Sequence, residues 1–278
     1  MTYLELIFKD ITEEKKEILI AELSAISFEG FEEKDNQLSA FIPKSNLSLD
    51  SLNELLSSMD CSFEMKNIEQ QNWNAEWERD FQPILVVHPE NDNEFCYVRA
   101  DFHPPKKDVQ IDLIINPKMS FGTGHHATTY LMMEQMSLLD FKNKSVVDFG
   151  TGTGVLSILA EKMGCSSVVA IDCDEWSIDN AKENITANQC NRIQLLHSDT
   201  CKLDQIQADI MLANINLNII TSELSNIVAA CKSDASLLFS GVLDTDEESI
   251  NKALLSHGLN VHQIKVRNHW MMIFASLP

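Results

Sequence analysis

Two rhythms of apolar and polar residues divide the 278-residue chain. In the first quarter, alternating runs flank helical ones. Tyr3–Phe8 reads as a strand, and Thr12 is placed to cap a helix from residue 13 to about 26, with Ile18, Leu19 and Leu23 on its apolar face. Residues 28–33 and 37–42 predict two strands around a Lys34-Asp35-Asn36 turn, followed by a helix over 50–58 and a strand over 62–68. That β-α-β-β-α-β order is the ferredoxin-like arrangement. Residues 72–80, polar with two tryptophans, predict a linking helix or arm, and 83–89, 95–102 and 109–116 are strand-like runs.

From residue 145 the rhythm becomes regular. Strands are predicted at 145–150, 167–172, 193–198, 208–214 and 236–243, and 260–277 splits into an antiparallel pair, 260–268 and 270–277. Helical patterns fall at 155–163, 175–189, 217–232 and 246–257. Alternation of this kind gives a parallel sheet wrapped by helices. The expected architecture is α/β: a small ferredoxin-like α+β domain over residues 1–70, a linker arm over 71–93, and a Rossmann-like domain over 94–278.

Charge narrows the functional classes. The formal net charge is −21, and phosphate-gripping proteins need clustered cations, so a direct hold on nucleic acid is not expected. With 44% hydrophobic and 23% charged residues the chain has the balance of a globular protein. Residues 1–70 carry 15 acidic against 6 basic residues, about twice the acid excess per residue of the remainder. Seven cysteines without a C-x-x-C pair are expected as reduced, structural thiols. The N-terminus lacks a basic region followed by an apolar core, and no apolar run approaches the roughly 20 residues of a membrane span. A cytoplasmic monomer with no membrane contact is the expectation.

The strongest chemical signal is Val146-Val147-Asp148-Phe149-Gly150-Thr151-Gly152-Thr153-Gly154, a strand entering a glycine turn with a helix opening at Val155. Glycines there let backbone approach a ligand closely and adopt positive φ. The next strand ends at Asp172, 22 residues after Gly150, where a carboxylate can accept hydrogen bonds from both ribose hydroxyls of a nucleoside. This unit binds an adenosine-containing cofactor. A dinucleotide fingerprint requires glycine where Val155 stands, which counts against a nucleotide-sensing module built on NAD.

The G-x-G-x-G turn preceded by Asp148 resembles the first motif of class I S-adenosylmethionine-dependent methyltransferases. The resemblance implies S-adenosyl-L-methionine as cofactor. Asp148 would lie near the methionine amino group, Gly150 and Gly152 would line the cofactor, and Ser198-Asp199 would sit beside the adenine. Ala213-Asn214-Ile215-Asn216-Leu217 stands where many amine-directed members carry Asn or Asp, two prolines and an aromatic. Asn214 keeps the acceptor that aims an amine lone pair. Leu217 lacks the face that would stack a nucleobase, which points to an aliphatic amine. A structural hydrogen bond at the strand end is the alternative role of Asn214.

Before the cofactor motif stands Phe121-Gly122-Thr123-Gly124-His125-His126-Ala127-Thr128-Thr129, a loop expected over the transfer site. It lacks the G-K-[S/T] ending of a phosphate loop, and its two adjacent histidines diverge, so no metal is expected. F-G-T-G, then H and T-T, D-F-G-x-G-x-G, I-D and A-N-I together resemble the bacterial ribosomal protein L-eleven methyltransferases over the whole chain. That family's cofactor-contacting positions fall on Thr129, Gly150, Asp172 and Asn214. Thr and Pro usually flank its loop histidine, where this chain has His125 and Ala127; the first changes loop polarity and the second removes a backbone restraint.

The resemblance implies methylation, up to trimethylation, of lysine side chains and the N-terminal α-amine of a basic ribosomal protein, held mainly by the acidic first domain. Asn214 would position the amine, with water or His126 as the base. The alternative is a methyltransferase acting on a small molecule or RNA.

Overall fold

The structure is a computed structural model that describes residues 3–9, 11–28, 30–34, 36–56, 61–68, 82–116, 118, 120–203 and 206–278. The chain forms two compact units, Met1–Phe81 and Gln82–Pro278.

The first unit contains β1 (Tyr3–Phe8), α1 (Glu13–Ala25), β2 (Gly30–Lys34), β3 (Gln37–Pro43), α2 (Leu49–Leu56) and β4 (Phe63–Ile68). Its sheet has the order β2-β3-β1-β4, antiparallel throughout. The period-2 pattern explains the register: Leu4, Leu6 and Phe8 stand opposite Ile42, Ala40 and Leu38, and all six are buried with Leu19, Leu23 and Leu52. Thr12 caps α1, its hydroxyl accepting from the Lys15 N–H at 3.4 Å. Ile18 departs from expectation. It is 45% exposed, because one helical step turns it about 100° from Leu19. The arm expected over 72–80, and Asp35 of the expected turn, lie outside the described residues.

The second unit opens with β5 (Ile84–Val87), β6 (Glu94–Arg99) and β7 (Ile111–Ile114), a three-stranded sheet. Pairing of Ile84–Val87 with Glu94–Arg99 carries this unit back to Gln82, into the stretch expected as linker. Then come α3 (Ala127–Met136), β8 (Ser145–Phe149), α4 (Val155–Lys162), β9 (Ser167–Asp172), α5 (Glu175–Ala187), β10 (Ile193–His197), β11 (Ala208–Asn214), α6 (Leu217–Ala229), β12 (Cys231–Leu243), α7 (Glu247–Ser256), β13 (Asn260–Arg267) and β14 (Trp270–Ser276). The seven-stranded sheet has the order β10-β9-β8-β11-β12-β14-β13. It is parallel from β10 to β12, and β14 enters antiparallel between β12 and β13.

The central strands are covered on both faces. Val146 packs with Ile158 and Leu212, and its neighbour Val147 packs on the other side with Met211 and Leu237. Helix α3 has no counterpart in the sequence pattern, which predicts only a loop before it. Its Leu131, Met132, Met133, Gln135 and Met136 are all buried, so no polar stripe marks a helical period. None of the seven cysteines is in a disulfide bond, and burial pushes the Cys201 and Cys231 thiols up to about 12. Among the described residues no helix is long and apolar enough to cross a membrane.

Candidate active site

Strand order reverses between β8 and β11, and the carboxyl ends of strands flanking such a point form a crevice. A cavity of about 500 Å³ opens there. Seven of the residues expected at the site line it: His126, Gly150, Gly152, Asp172, Ser198, Asp199 and Asn214. Asp148 and Thr129 stand behind its wall, both fully buried.

The glycine turn is bound to β9 by the Gly150 and Thr151 N–H groups, which both donate to the Ile171 carbonyl at 2.9 Å. Gly150 has φ +82°, and a Cβ on it would collide with the Ile215 side chain. Asp172 ends β9 and accepts from the Gly152 N–H at 2.8 Å and the Asp174 N–H at 3.0 Å. A carboxylate has about four acceptor sites, so two remain for a ligand. Asp148 is not part of the cavity lining, and its Oδ2 accepts from the Thr151 and Ser157 hydroxyls, each at 2.7 Å. Burial pushes its carboxyl up to about 6, and its Oδ1 has no partner among the described residues.

On the opposite wall Asn214 ends β11. Its Nδ2 donates to the Thr129 hydroxyl, in the first turn of α3, at 3.2 Å. Asn214 Oδ1 is left buried without a partner among the described residues. An unmet buried acceptor costs about 1–3 kcal/mol, which an incoming N–H donor relieves. Ile215 after it is wedged between Gly150 and Gly241, where a Cβ on Gly241 would meet the Ile215 carbonyl.

His126 lines the cavity with its ring edge-to-face between Phe121 (centroids 5.1 Å apart) and Trp270 (4.8 Å). It also caps α3: Nδ1 accepts from the Thr128 N–H at 3.4 Å. Of the two candidate bases, water and His126, the histidine thus has Nδ1 engaged at Thr128, whose hydroxyl oxygen lies 2.8 Å away. In the tautomer whose Nδ1 accepts as the cap, the neutral ring carries its proton on Nε2, and a second proton would remove the cap and meet the positive end of the helix dipole. Burial likewise holds its pKa below the ordinary histidine value. His125 points elsewhere, with Nε2 2.8 Å from the Gln82 carbonyl oxygen. Ala127 occupies the first position of α3, which tolerates proline, so its site stays helical without one.

Sequence reasoning assigned no role to Trp270, Ile215 or Gly241. A glycine inside an apolar strand signals close backbone approach and could have flagged Gly241. Trp270 carries no local signal, since the β13–β14 hairpin brings it to the cavity.

A family model described as ribosomal protein L11 methyltransferase (PrmA) matches residues 5–277. The chain belongs to this family. A ribosomal protein L11 methyltransferase of Porphyromonas gingivalis is 37% identical over 91% of this chain and 88% of its own. One from Phocaeicola vulgatus is 32% identical over 98% of each. The crystal structure of a ribosomal protein L11 methylase from Lactobacillus delbrueckii subsp. bulgaricus superposes with a TM-score of 0.62 at 26% identity, covering 70% of this chain and 99% of that one. The site fits the S-adenosylmethionine of an L11 methyltransferase. Its glycine cradle leaves no room for side chains, and Asp172 keeps acceptor capacity for ribose hydroxyls.

Proposed function

We propose that this chain methylates ribosomal protein L11 on lysine side chains and on the N-terminal α-amine, up to trimethylation, in the cytoplasm. The carrying observation is the pairing in one cavity of the Asp172–glycine cradle with Asn214, tethered through Nδ2 and holding an orphaned acceptor. S-adenosylmethionine, when bound, supplies an electrophilic methyl group.

The chain's own residues bind, orient and exclude water. Asp172 accepts from the ribose hydroxyls, Gly150 and Gly152 admit the cofactor against backbone, Asp199 borders the adenine, and Asp148 supports the turn through Thr151 and Ser157. Thr129 holds the Asn214 amide, and Asn214 Oδ1 would accept an N–H of the acceptor amine and so orient it for transfer. A lysine with pKa about 10.4 must first lose a proton. Desolvation between Phe121, Ile219 and Trp270 disfavours the ammonium form, and the proton passes to water. The acidic excess of residues 1–70 complements a basic substrate, so that unit serves recognition and residues 94–278, extended back to Gln82, serve transfer.

The family match over residues 5–277 spans the first unit too, which favours the protein substrate over RNA or a small molecule. Incubation with S-adenosylmethionine and unmodified ribosomal proteins, followed by mass mapping, tests this. Methyl groups on L11 amines are expected; methylated RNA and unmodified L11, or full activity after deletion of residues 1–70, would contradict it.

A further inference from the structure

Thr153 lies inside the glycine turn, fully buried, yet is not part of the cavity lining. It faces the loop that precedes α3. Its N–H donates to the Phe121 carbonyl at 2.9 Å, and its hydroxyl donates to the Gly122 carbonyl at 2.5 Å. Its own carbonyl accepts from Asn184 Nδ2 at 2.9 Å. Asn184 is fully buried in α5, and its Oδ1 accepts from the Asn116 N–H at 3.0 Å. Thus Asn116 at the start of the loop and Phe121–Gly122 in its middle are both tied to one residue of the glycine turn.

The two glycines at this contact are there for space. Gly122 has φ +106°, and a Cβ on it would stand 2.9 Å from the Thr153 hydroxyl oxygen. A Cβ on Gly152 would run into the Phe121 carbonyl oxygen. Side chains at either position would part the loop from the turn. On one side of the contact Gly150 and Gly152 line the cavity; on the other Phe121 and His126 do.

We propose that Thr153 is a positioning residue that seats the wall carrying Phe121 and His126 against the glycine turn. The two walls are then coupled: order at the glycine turn favours a formed acceptor wall, and by linkage the reverse holds equally. The kinetic part of this inference rests on the L11 methyltransferase reading, whereas the exchange part does not.

The test compares T153V, which keeps the side-chain shape and loses the hydroxyl, with T153S, which keeps the hydroxyl. Hydrogen exchange of the protein without ligands reads the seat directly. In T153V, amides of residues 120–126 and of residue 153 are expected to exchange about tenfold faster, the effect of one lost buried hydrogen bond. Rates in β8 and β11 stay at wild-type values, and T153S behaves as wild type. At saturating S-adenosylmethionine, kcat/KM for L11 falls about tenfold in T153V and is restored in T153S. G122A, which presses on the same hydroxyl from the loop side, reproduces the exchange pattern should T153V fold poorly. Unchanged loop exchange in T153V or G122A, acceleration spread evenly over β8 and β11, or a T153S protein as impaired as T153V would overturn the proposal. A wild-type chain inactive on L11 with the exchange pattern intact would instead overturn the substrate reading alone.

Discussion

The two walls of the cavity are built in opposite ways. The proposed cofactor wall comes mostly from one βαβ stretch, Asp148 to Asp172, joined by contacts such as Gly152 N–H to Asp172, with Ser198 and Asp199 added after β10. The acceptor wall is gathered from four places: Phe121 and His126 before α3, Thr129 within it, Asn214 at the end of β11, and Trp270 at the start of β14. A cofactor of fixed shape is met by a local motif that one segment can encode. On the proposed reading an acceptor amine is met by an assembly whose geometry depends on the packed sheet, and its residues should be separable from cofactor affinity by mutation.

The largest expected effect lies on the cofactor wall. Asp172→Ala removes charge-assisted acceptors for two hydroxyls, and calorimetry should show cofactor affinity lower by about a hundredfold or more. Unchanged affinity would erase the proposed division of labour. On the acceptor wall, Asn214→Ala is expected to lower kcat about ten- to a hundredfold while cofactor affinity stays within about threefold. Equal losses in both would make Asn214 a cofactor ligand.

His126 sharpens the comparison. Asn is a good helix cap, so His126→Asn should keep α3 and cost less than about tenfold in turnover, with an unaltered pH–rate profile. A loss of about 10²–10⁴, together with a vanished acid limb, is the signature of a missing general base.

The smallest effect is a stability term at Asp148. Its folded pKa of about 6 stands above the ordinary 3.8 through burial. The folded state therefore binds more protons between these values, and this group's contribution is full below pH about 4 and lost as pH rises through about 6. Asp148→Asn keeps an acceptor for Thr151 and Ser157 and should raise Tm by a few degrees at pH 7, with the gain vanishing near pH 4. A variant less stable than wild type at pH 7 would show that the carboxylate is favoured in the fold.

The same contrast explains what the amino-acid sequence disclosed. Gly150, Gly152 and Asp172 are spaced within one supersecondary unit, so local spacing is enough to place them. The β-α-β-β-α-β order of the first unit was legible too, because short apolar runs bounded by turn residues flank a helix with a capping threonine. Helix α3 was hidden because it is buried nearly all round, Thr128, Thr129 and Gln135 included, and Trp270 by the length of chain separating it from the cavity. His126 is of a residue type that suggests proton transfer, while the structure places its Nδ1 at the Thr128 N–H as a helix cap, a contact with no signal in the sequence. Ile18 shows the limit of reading a helix face from composition alone, since a single step in sequence moves a side chain from core to solvent.

The separation of the two walls is tested most directly by single-turnover methylation of L11 with Asp172→Ala and Asn214→Ala at rising S-adenosylmethionine. The account predicts that Asp172→Ala climbs to near the wild-type rate as cofactor saturates, while Asn214→Ala levels off about ten- to a hundredfold below it. Two variants that stay equally slow at saturation, or two that recover alike, would contradict it.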